Sequence, residues 1–240
     1  MPNIDNQSYN MGKDEFRFRH FAIRQDRCAM KVGTDGVLLG SWACRRKADA
    51  CMRVLDIGTG TGLISLFIAQ RFPNAIVTAI DIDAEAAGQA SDNFRLSPFS
   101  NRLSSQAMAL QDMGETELYD LIVCNPPFFT DSLKSPNTNR TIARHTTTLT
   151  FADIARKTSR LLYDDGILAV IVPADSKGKM ESEAIFNGLS LQRQCYVKTK
   201  EGKPPKRVMM EFGRKAGGLR EEIIVVGGED YQAITGKFYL

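Results

Sequence analysis

The sequence predicts an α/β fold built on a largely parallel sheet with both faces covered. Three observations carry that expectation. Short apolar runs alternate with segments of helical period through the middle of the chain, the first run leads straight into a glycine-rich turn, and the second ends on a carboxylate. The order begins with MRVLDI (52–57) as a buried strand, LISLFIAQRF (63–72) as a helix and AIVTAI (75–80) as a strand. It continues with a helix at 84–96, a strand at 103–107, the strand YDLIVC (119–124), a helix at 150–162, the strand GILAVIVP (166–173) and a helix at 177–188. Strands this apolar, with helical crossovers between them, suit a parallel sheet buried on both sides.

The two ends of the chain read differently. FRFRHFAIR (16–24) alternates as one extended strand, with Phe16, Phe18, His20 and Ala22 on one side and Phe21 and Ile23 on the other. CAMKV (28–32) is expected to pair with it, and His20 to be structural. Thr34 and Asp35 stand where an N-cap belongs, ahead of a short helix at 35–43. Near the C-terminus LQRQCYVKT, RVMMEFG and EEIIVVG read as three strands, the first two joined by the basic turn KEGKPPK. Their short connections favour antiparallel pairing at the sheet edge. The long segment from Phe129 to Thr148 reads as a functional loop.

Composition narrows the class. A chain of 240 residues, 43% hydrophobic and 25% charged, is long enough for one large domain with a buried core. Its first fifteen residues lack the apolar stretch of a signal peptide, and no window approaches about 18 consecutive apolar residues, so a soluble cytoplasmic protein without membrane contact is expected. Five cysteines without C-x-x-C pairs or zinc-type spacing point to reduced thiols and no metal site. The net charge of +3 is unevenly spread: residues 1–47 hold nine Lys/Arg against five Asp/Glu, residues 134–160 six against one, and residues 193–220 nine against two. Segregation of that kind suits a polyanionic partner, the alternative being solvated faces that never meet on one surface.

MRVLDI runs directly into Gly58-Thr59-Gly60-Thr61-Gly62 and then a helix. Glycines there allow a ligand to approach backbone amides and a helix N-terminus without meeting a Cβ. The spacing differs from the G-x-G-x-x-G dinucleotide pattern, since one residue rather than two separates the last pair of glycines, and the preceding Asp56 sets an anion where a phosphate loop would avoid one. Asp81 closes the next strand, nineteen residues after Gly62, where its two oxygens can accept both hydroxyl hydrogens of a ribose. A nicotinamide cofactor, or a tight turn with an incidental Asp, is the competing reading.

Asn125-Pro126-Pro127-Phe128 follows YDLIVC at the carboxyl end of a central strand, where such sheets bind ligands. The prolines fix φ and carry no N–H, so the Asn125 side chain and the Asn125 and Pro126 carbonyls are held as free acceptors. Two acceptors can orient a weakly basic exocyclic amine and stabilise the positive charge it gains on attacking a methyl group. No strong general base is needed. Phe128 would stack on a base, a contact worth about 1–3 kcal/mol.

DIGTGTG, Asp81 and NPPF together resemble the class I amino-methyltransferases, which implies S-adenosyl-L-methionine as cofactor and a Rossmann-like seven-stranded sheet with antiparallel edge strands. CAMKVGTDGVLLGSWA (28–43), LDIGTGTGL, NPPF, ARHTTTL (143–149), PKRVMMEF (205–212) and the terminal FYL are similar to the bacterial methyltransferases that act on the adenine just 3′ of the anticodon in valine tRNA. The resemblance implies residues 1–47 as an extension covering the cofactor site and residues 48–240 as the methyltransferase domain. It implies that Lys31 and Thr34 close over the methionine end of the cofactor, that Asp56, Gly58, Thr59, Gly60, Gly62 and Asn125 line it, and that Asp81 and Ile82 meet the ribose side. Where relatives carry an acid for the cofactor's adenine, this chain reads QAMAL, which leaves backbone atoms around Ala107 and Met108. Candidate RNA contacts are Arg140, Arg144 and His145 in the long loop and Lys203, Lys206 and Arg207 at the basic turn. A monomer is expected. The alternatives are an amino-methyltransferase of ribosomal RNA guanine or of protein glutamine, and an RNA-binding module without catalysis.

Overall fold

Strand β3 (Met52–Ile57) is the hub of the sheet, because its residues alternate between two buried surfaces: Val54 packs into one apolar cluster and Leu55 into another, both wholly inaccessible. The computed structural model describes residues 14–28, 30–127 and 149–240. After β3 the chain alternates as expected through α2 (Leu63–Arg71), β4 (Ala75–Asp81), α3 (Ala84–Leu96), β5 (Leu103–Ala107), β6 (Tyr119–Cys124), α4 (Phe151–Leu161), β7 (Leu162–Pro173), α5 (Lys177–Phe186), β8 (Ser190–Lys198), β9 (Arg207–Gly213), β10 (Arg220–Val225) and α6 (Glu229–Thr235). Ahead of β3 lie β1 (Glu15–Arg17), β2 (Ala22–Arg24) and α1 (Thr34–Trp42). No helix among the described residues is long and apolar enough to cross a membrane.

The main sheet has eight strands, one more than the seven that the resemblance implies, in the order β10-β8-β9-β7-β6-β3-β4-β5, with β10 added at the edge beyond β8. Pairing is parallel except around β9, which runs against both β7 and β8. The sequence pattern favoured antiparallel pairing for the last three strands. β10 instead pairs parallel with β8, since both edges of β9 are already taken and the chain crosses to the free edge of β8. The helices divide between the faces: Leu38, Leu39 and Trp42 of α1 with Ile64 and Ile68 of α2 cover one, while Ile154 and Leu161 of α4 with Met180 and Ala184 of α5 cover the other. α4 is started by a full capping box, in which Thr150 and Asp153 each bond the other's backbone N–H.

The N-terminal segment departs from the single strand expected. Phe18 N–H donates to the Phe21 carbonyl at 2.8 Å, turning the chain so that β1 and β2 form a hairpin within FRFRHFAIR itself. The turn directs both Phe18 and Phe21 inward and leaves His20 exposed, so His20 is no part of the aromatic cluster. The C-terminus completes that cluster: the Phe238 ring stacks on Phe67 at 4.0 Å, and Phe18 meets the edge of Phe67 at 5.0 Å. The N-cap of α1 is Gly33, in extended conformation and without a side-chain cap bond, where Thr34 or Asp35 was expected. At the other end of α1, Arg71 donates to the carbonyls of Gly40, Ala43 and Cys44, which would otherwise be unpaired helix-end acceptors.

Candidate active site

The register of the sheet sets the site at the carboxyl ends of β3, β4 and β6. Asp56 and Ile57 at the end of β3 pair with Val123 and Cys124 of β6 on one side and with Ala79 and Ile80 of β4 on the other. The glycine loop after β3, Asp81 after Ile80 and Asn125 after Cys124 therefore leave the sheet at one edge.

The loop is shaped by backbone bonds to β4. Gly58 and Thr59 N–H groups both donate to the Ile80 carbonyl, at 2.9 and 3.1 Å, and Gly60 N–H donates to Asp81 Oδ2 at 2.9 Å. Gly58 and Gly60 have φ of 68° and 55°, a left-handed conformation that disfavours any side chain, and a Cβ on either would meet no protein atom within 4 Å. The concave surface of the loop is thus open to a ligand on the side a Cβ would fill. Gly62 is tight instead, a Cβ there running into the Phe94 ring.

Asp56 is fully buried. Its Oδ2 accepts from Thr59 Oγ1 at 2.8 Å and Ser65 Oγ at 2.7 Å, while its Oδ1 has no hydrogen-bond partner among the described residues. Burial pushes its carboxyl up to about 6, against the lowering effect of the two hydroxyls. The Thr59 side chain, expected toward the cofactor, is thereby committed to Asp56. Asp81 is half-buried and its pKa is also raised, chiefly by burial, although its oxygens accept from the N–H groups of Gly60 and Asp83. Each of those oxygens retains acceptor capacity for a ligand hydroxyl. Asn125 is half-buried, with Pro126 buried and Pro127 exposed beyond it, and Asn125 Oδ1 is a buried acceptor with no partner among the described residues. Two carboxylates and an unpaired amide oxygen at one edge favour a ligand that brings hydroxyls, amino groups or positive charge.

The other expected residues fall as follows. Lys31 and Thr34 are exposed at the start of α1, and Ile82 is 43% exposed beside Asp81. Ala107 is exposed and Met108 half-buried. The Met108 N–H already donates to the Asp81 carbonyl at 2.8 Å, which withdraws it as a donor for an adenine. Lys203 and Lys206 are exposed on the turn between β8 and β9. Pro173 at the end of β7 pairs with Arg207, so this turn projects from the same sheet edge as Asn125. Arg207, expected among the RNA contacts, is half-buried and pairs with Asp35 at 2.7 Å. Phe128, Arg140, Arg144 and His145 lie outside the described residues. Sequence reading missed Cys28: Asp81 and Asp83 stand close enough to join burial in pushing its thiol up to about 11, so the segment after β2 passes beside the end of β4. Among the described residues no group of three or more His, Cys, Asp or Glu could hold a metal ion.

Residues 43–191 match the family described as methyltransferase small domain. A protein of Phocaeicola vulgatus named tRNA1(Val) (adenine(37)-N6)-methyltransferase is 45% identical over 94% of this chain and 97% of its own. One of Trichodesmium erythraeum with the same name is 42% identical over 92% of this chain and 93% of its own. Among solved structures, a predicted O-methyltransferase of Agrobacterium tumefaciens superposes with a TM-score of 0.59 over 86% of this chain and 98% of its own, at 19% identity, a likeness of fold. With its class I Rossmann-like sheet, glycine loop and NPP turn, the chain is a methyltransferase of the small-domain family and belongs to the tRNA1(Val) (adenine(37)-N6)-methyltransferases.

Proposed function

We propose that this enzyme transfers a methyl group from S-adenosyl-L-methionine to the exocyclic N6 amine of adenine 37 in the anticodon loop of valine tRNA. The observation that carries the reading is the buried Asn125 Oδ1 at the carboxyl end of β6, which has no hydrogen-bond partner among the described residues. An unpaired buried acceptor is destabilising by about 1–3 kcal/mol, and a ligand N–H relieves it. The residues also fit the cofactor: Gly58 and Gly60 leave the loop surface open, Asp81 retains acceptors for a vicinal diol, and Asp56 Oδ1 is an unpaired acceptor close to the same loop. When bound, S-adenosyl-L-methionine supplies a methyl group on a positively charged sulfur. The methyl carbon's bond to sulfur would break as its bond to N6 forms, leaving S-adenosylhomocysteine and releasing the surplus amine proton to water, while Asn125 Oδ1 and the adjacent backbone carbonyls would hold the amine hydrogens and favour the charge developing on nitrogen.

An adenine within the anticodon loop must leave its stack to reach this edge, which is unfavourable by a few kcal/mol. Stacking on Phe128 and phosphate contacts from Lys203 and Lys206 would offset that, with Arg140, Arg144 and His145 as further candidates. Residues 1–47 serve in this reading as the cover of the cofactor and 48–240 as the catalytic domain. The enzyme acts as a monomer in this reading, and a tRNA substrate implies action in the cytoplasm.

The test is nucleoside mass spectrometry after incubation with S-adenosyl-L-methionine and unmodified valine tRNA, the same tRNA carrying guanine at position 37, and an unrelated tRNA. N6-methyladenine in the first alone is expected. Equal methylation of the guanine variant would overturn the target, and equal activity on the unrelated tRNA would remove the valine preference.

A further inference from the structure

Asp35 and Arg207 are 172 residues apart in sequence yet form an ion pair, Arg207 Nε to Asp35 Oδ2 at 2.7 Å, with side chains 33% and 26% exposed. Each end is firmly held. Asp35 lies in the first turn of α1, directly after the Lys31–Thr34 segment. The next residue, Gly36, lies so close to α2 that a Cβ would come within 2.9 Å of Leu63 Cδ2, and Leu63 immediately follows the glycine loop. Arg207 opens β9 and pairs with Pro173 of β7 and Val197 of β8. The preceding residue is anchored from both sides: Lys206 N–H donates to the Val197 carbonyl at 2.9 Å, and the Lys206 carbonyl accepts from Ala174 N–H at 3.2 Å and from Arg207 Nη1 at 3.1 Å. The pair therefore joins the start of α1, packed on the first turn of α2 just after the glycine loop, to the rigid base of the basic turn.

We propose that Asp35 and Arg207 are positioning residues that fix the Lys31–Thr34 segment over the cofactor, and that Arg207 acts through Asp35 rather than as an RNA contact. This rests on the functional reading above. A guanidinium whose Nε donates to a carboxylate, and whose Nη1 donates to its neighbour's carbonyl, is directed across the sheet edge toward α1. Lys203 and Lys206 are exposed, and among the described residues they form no ion pair. Two adjacent basic residues thus have separate tasks: Lys206 faces the polyanion, and Arg207 braces the cover.

The experiment measures S-adenosyl-L-methionine affinity by titration calorimetry, and tRNA affinity at several salt concentrations, for the parent, Arg207→Gln, Asp35→Asn, the double variant and the reversed pair Asp35→Lys/Arg207→Glu. Either single variant should weaken cofactor binding about three- to tenfold, the range a partly screened ion pair allows. The double variant should be no weaker than the singles, because both remove the same interaction. The reversed pair should recover affinity, and turnover with both substrates saturating should stay near the parent value. The salt dependence of tRNA binding should be unchanged in Arg207→Gln. Parent-like cofactor affinity in Arg207→Gln, additive losses in the double variant, or a flattened tRNA salt dependence with intact cofactor binding would each overturn the proposal. A parent protein that binds no S-adenosyl-L-methionine would instead defeat the functional reading.

Discussion

Replacing Asp56 by Asn is expected to flatten the pH dependence of stability while weakening the cofactor site. Asp56 is fully buried, its two hydroxyl donors both serve Oδ2, and Oδ1 has no partner among the described residues, so burial outweighs hydrogen bonding and its pKa rises from 3.8 to about 6. The folded state therefore favours the protonated acid. Stability associated with this group is fully present below pH 3.8 and is lost as pH rises through about 6. At 1.36 kcal/mol per tenfold change in the acidity constant, the ionised form destabilises the ligand-free protein by about 3 kcal/mol at neutral pH. Asn does not ionise. Its amide oxygen can accept from Thr59 and Ser65, and any fixed penalty for burying its NH2 is the same at every pH. The stability difference, variant minus parent, should hence rise by about 3 kcal/mol between about pH 4 and pH 8, or about 6–12 °C in thermal midpoint for a chain of this size. Thermal melts across that range without cofactor make the measurement, since unrelated titrations appear in both proteins and cancel. A difference independent of pH would refute the reasoning. Adding S-adenosyl-L-methionine should stabilise the parent more at pH 7 than at pH 5, because a positively charged ligand at this edge favours the ionised carboxylate.

Asp81→Ala should raise the dissociation constant for S-adenosyl-L-methionine tenfold or more, since each hydrogen bond to a charged acceptor is worth about 1.5–3 kcal/mol; an unchanged constant in calorimetry would remove Asp81 from the site. Asn125→Ala should leave cofactor affinity near the parent value and slow single-turnover methylation by about a hundredfold or more, because its hydrogen bonds strengthen as charge develops on the amine. Parent-like turnover would move the chemistry elsewhere. Changing Lys200, Lys203 and Lys206 together to Gln, with Arg207 spared, should weaken tRNA binding and reduce its salt slope by about one for each phosphate no longer neutralised, without altering cofactor affinity.

Elements whose sequence pattern is dictated by the sheet were legible, and those dictated by distant partners were not. MRVLDI, YDLIVC and the helix at 84–96 coincide with β3, β6 and α3, because near-continuous apolar strands and a helix amphipathic around Ala86, Ala90 and Phe94 leave little choice. FRFRHFAIR misled because the shift of its apolar alternation across Arg19 and His20, from Phe16 and Phe18 to Phe21 and Ile23, fits the two faces of one strand as well as it fits a turn. What folds it back is the chance to bury Phe18 and Phe21 against Phe67 and Phe238, and Phe238 stands more than 200 residues later. β10 misled for a related reason, since pairing direction depends on which strand edges remain free, a property of the assembled sheet.

At the site, the placement of motif residues was readable because it is local: Gly58 and Gly60 adopt the left-handed conformation that glycine favours, and Asp81 ends β4. Basic residues were harder, since charge counts do not reveal which cations already have anionic neighbours. Within the described residues Arg27 pairs with Asp92, Arg46 with Asp120, Lys157 and Arg160 with Glu115, and Arg193 with Glu211 and Glu222. Arg193 is buried under the Trp42 ring, at 3.7 Å from guanidinium carbon to ring centroid, and donates to the Trp42 carbonyl. Its charge joins the sheet to α1 and is unavailable to any polyanion. At the opposite end of that helix Arg207 pairs with Asp35, a link between the sheet and α1 that a charge count does not reveal. Part of the positive charge of residues 1–47 and 193–220 thus ties the N-terminal extension to the rest of the fold, and the exposed lysines of the β8–β9 turn, which form no ion pair among the described residues, are the stronger candidates there for meeting a polyanion.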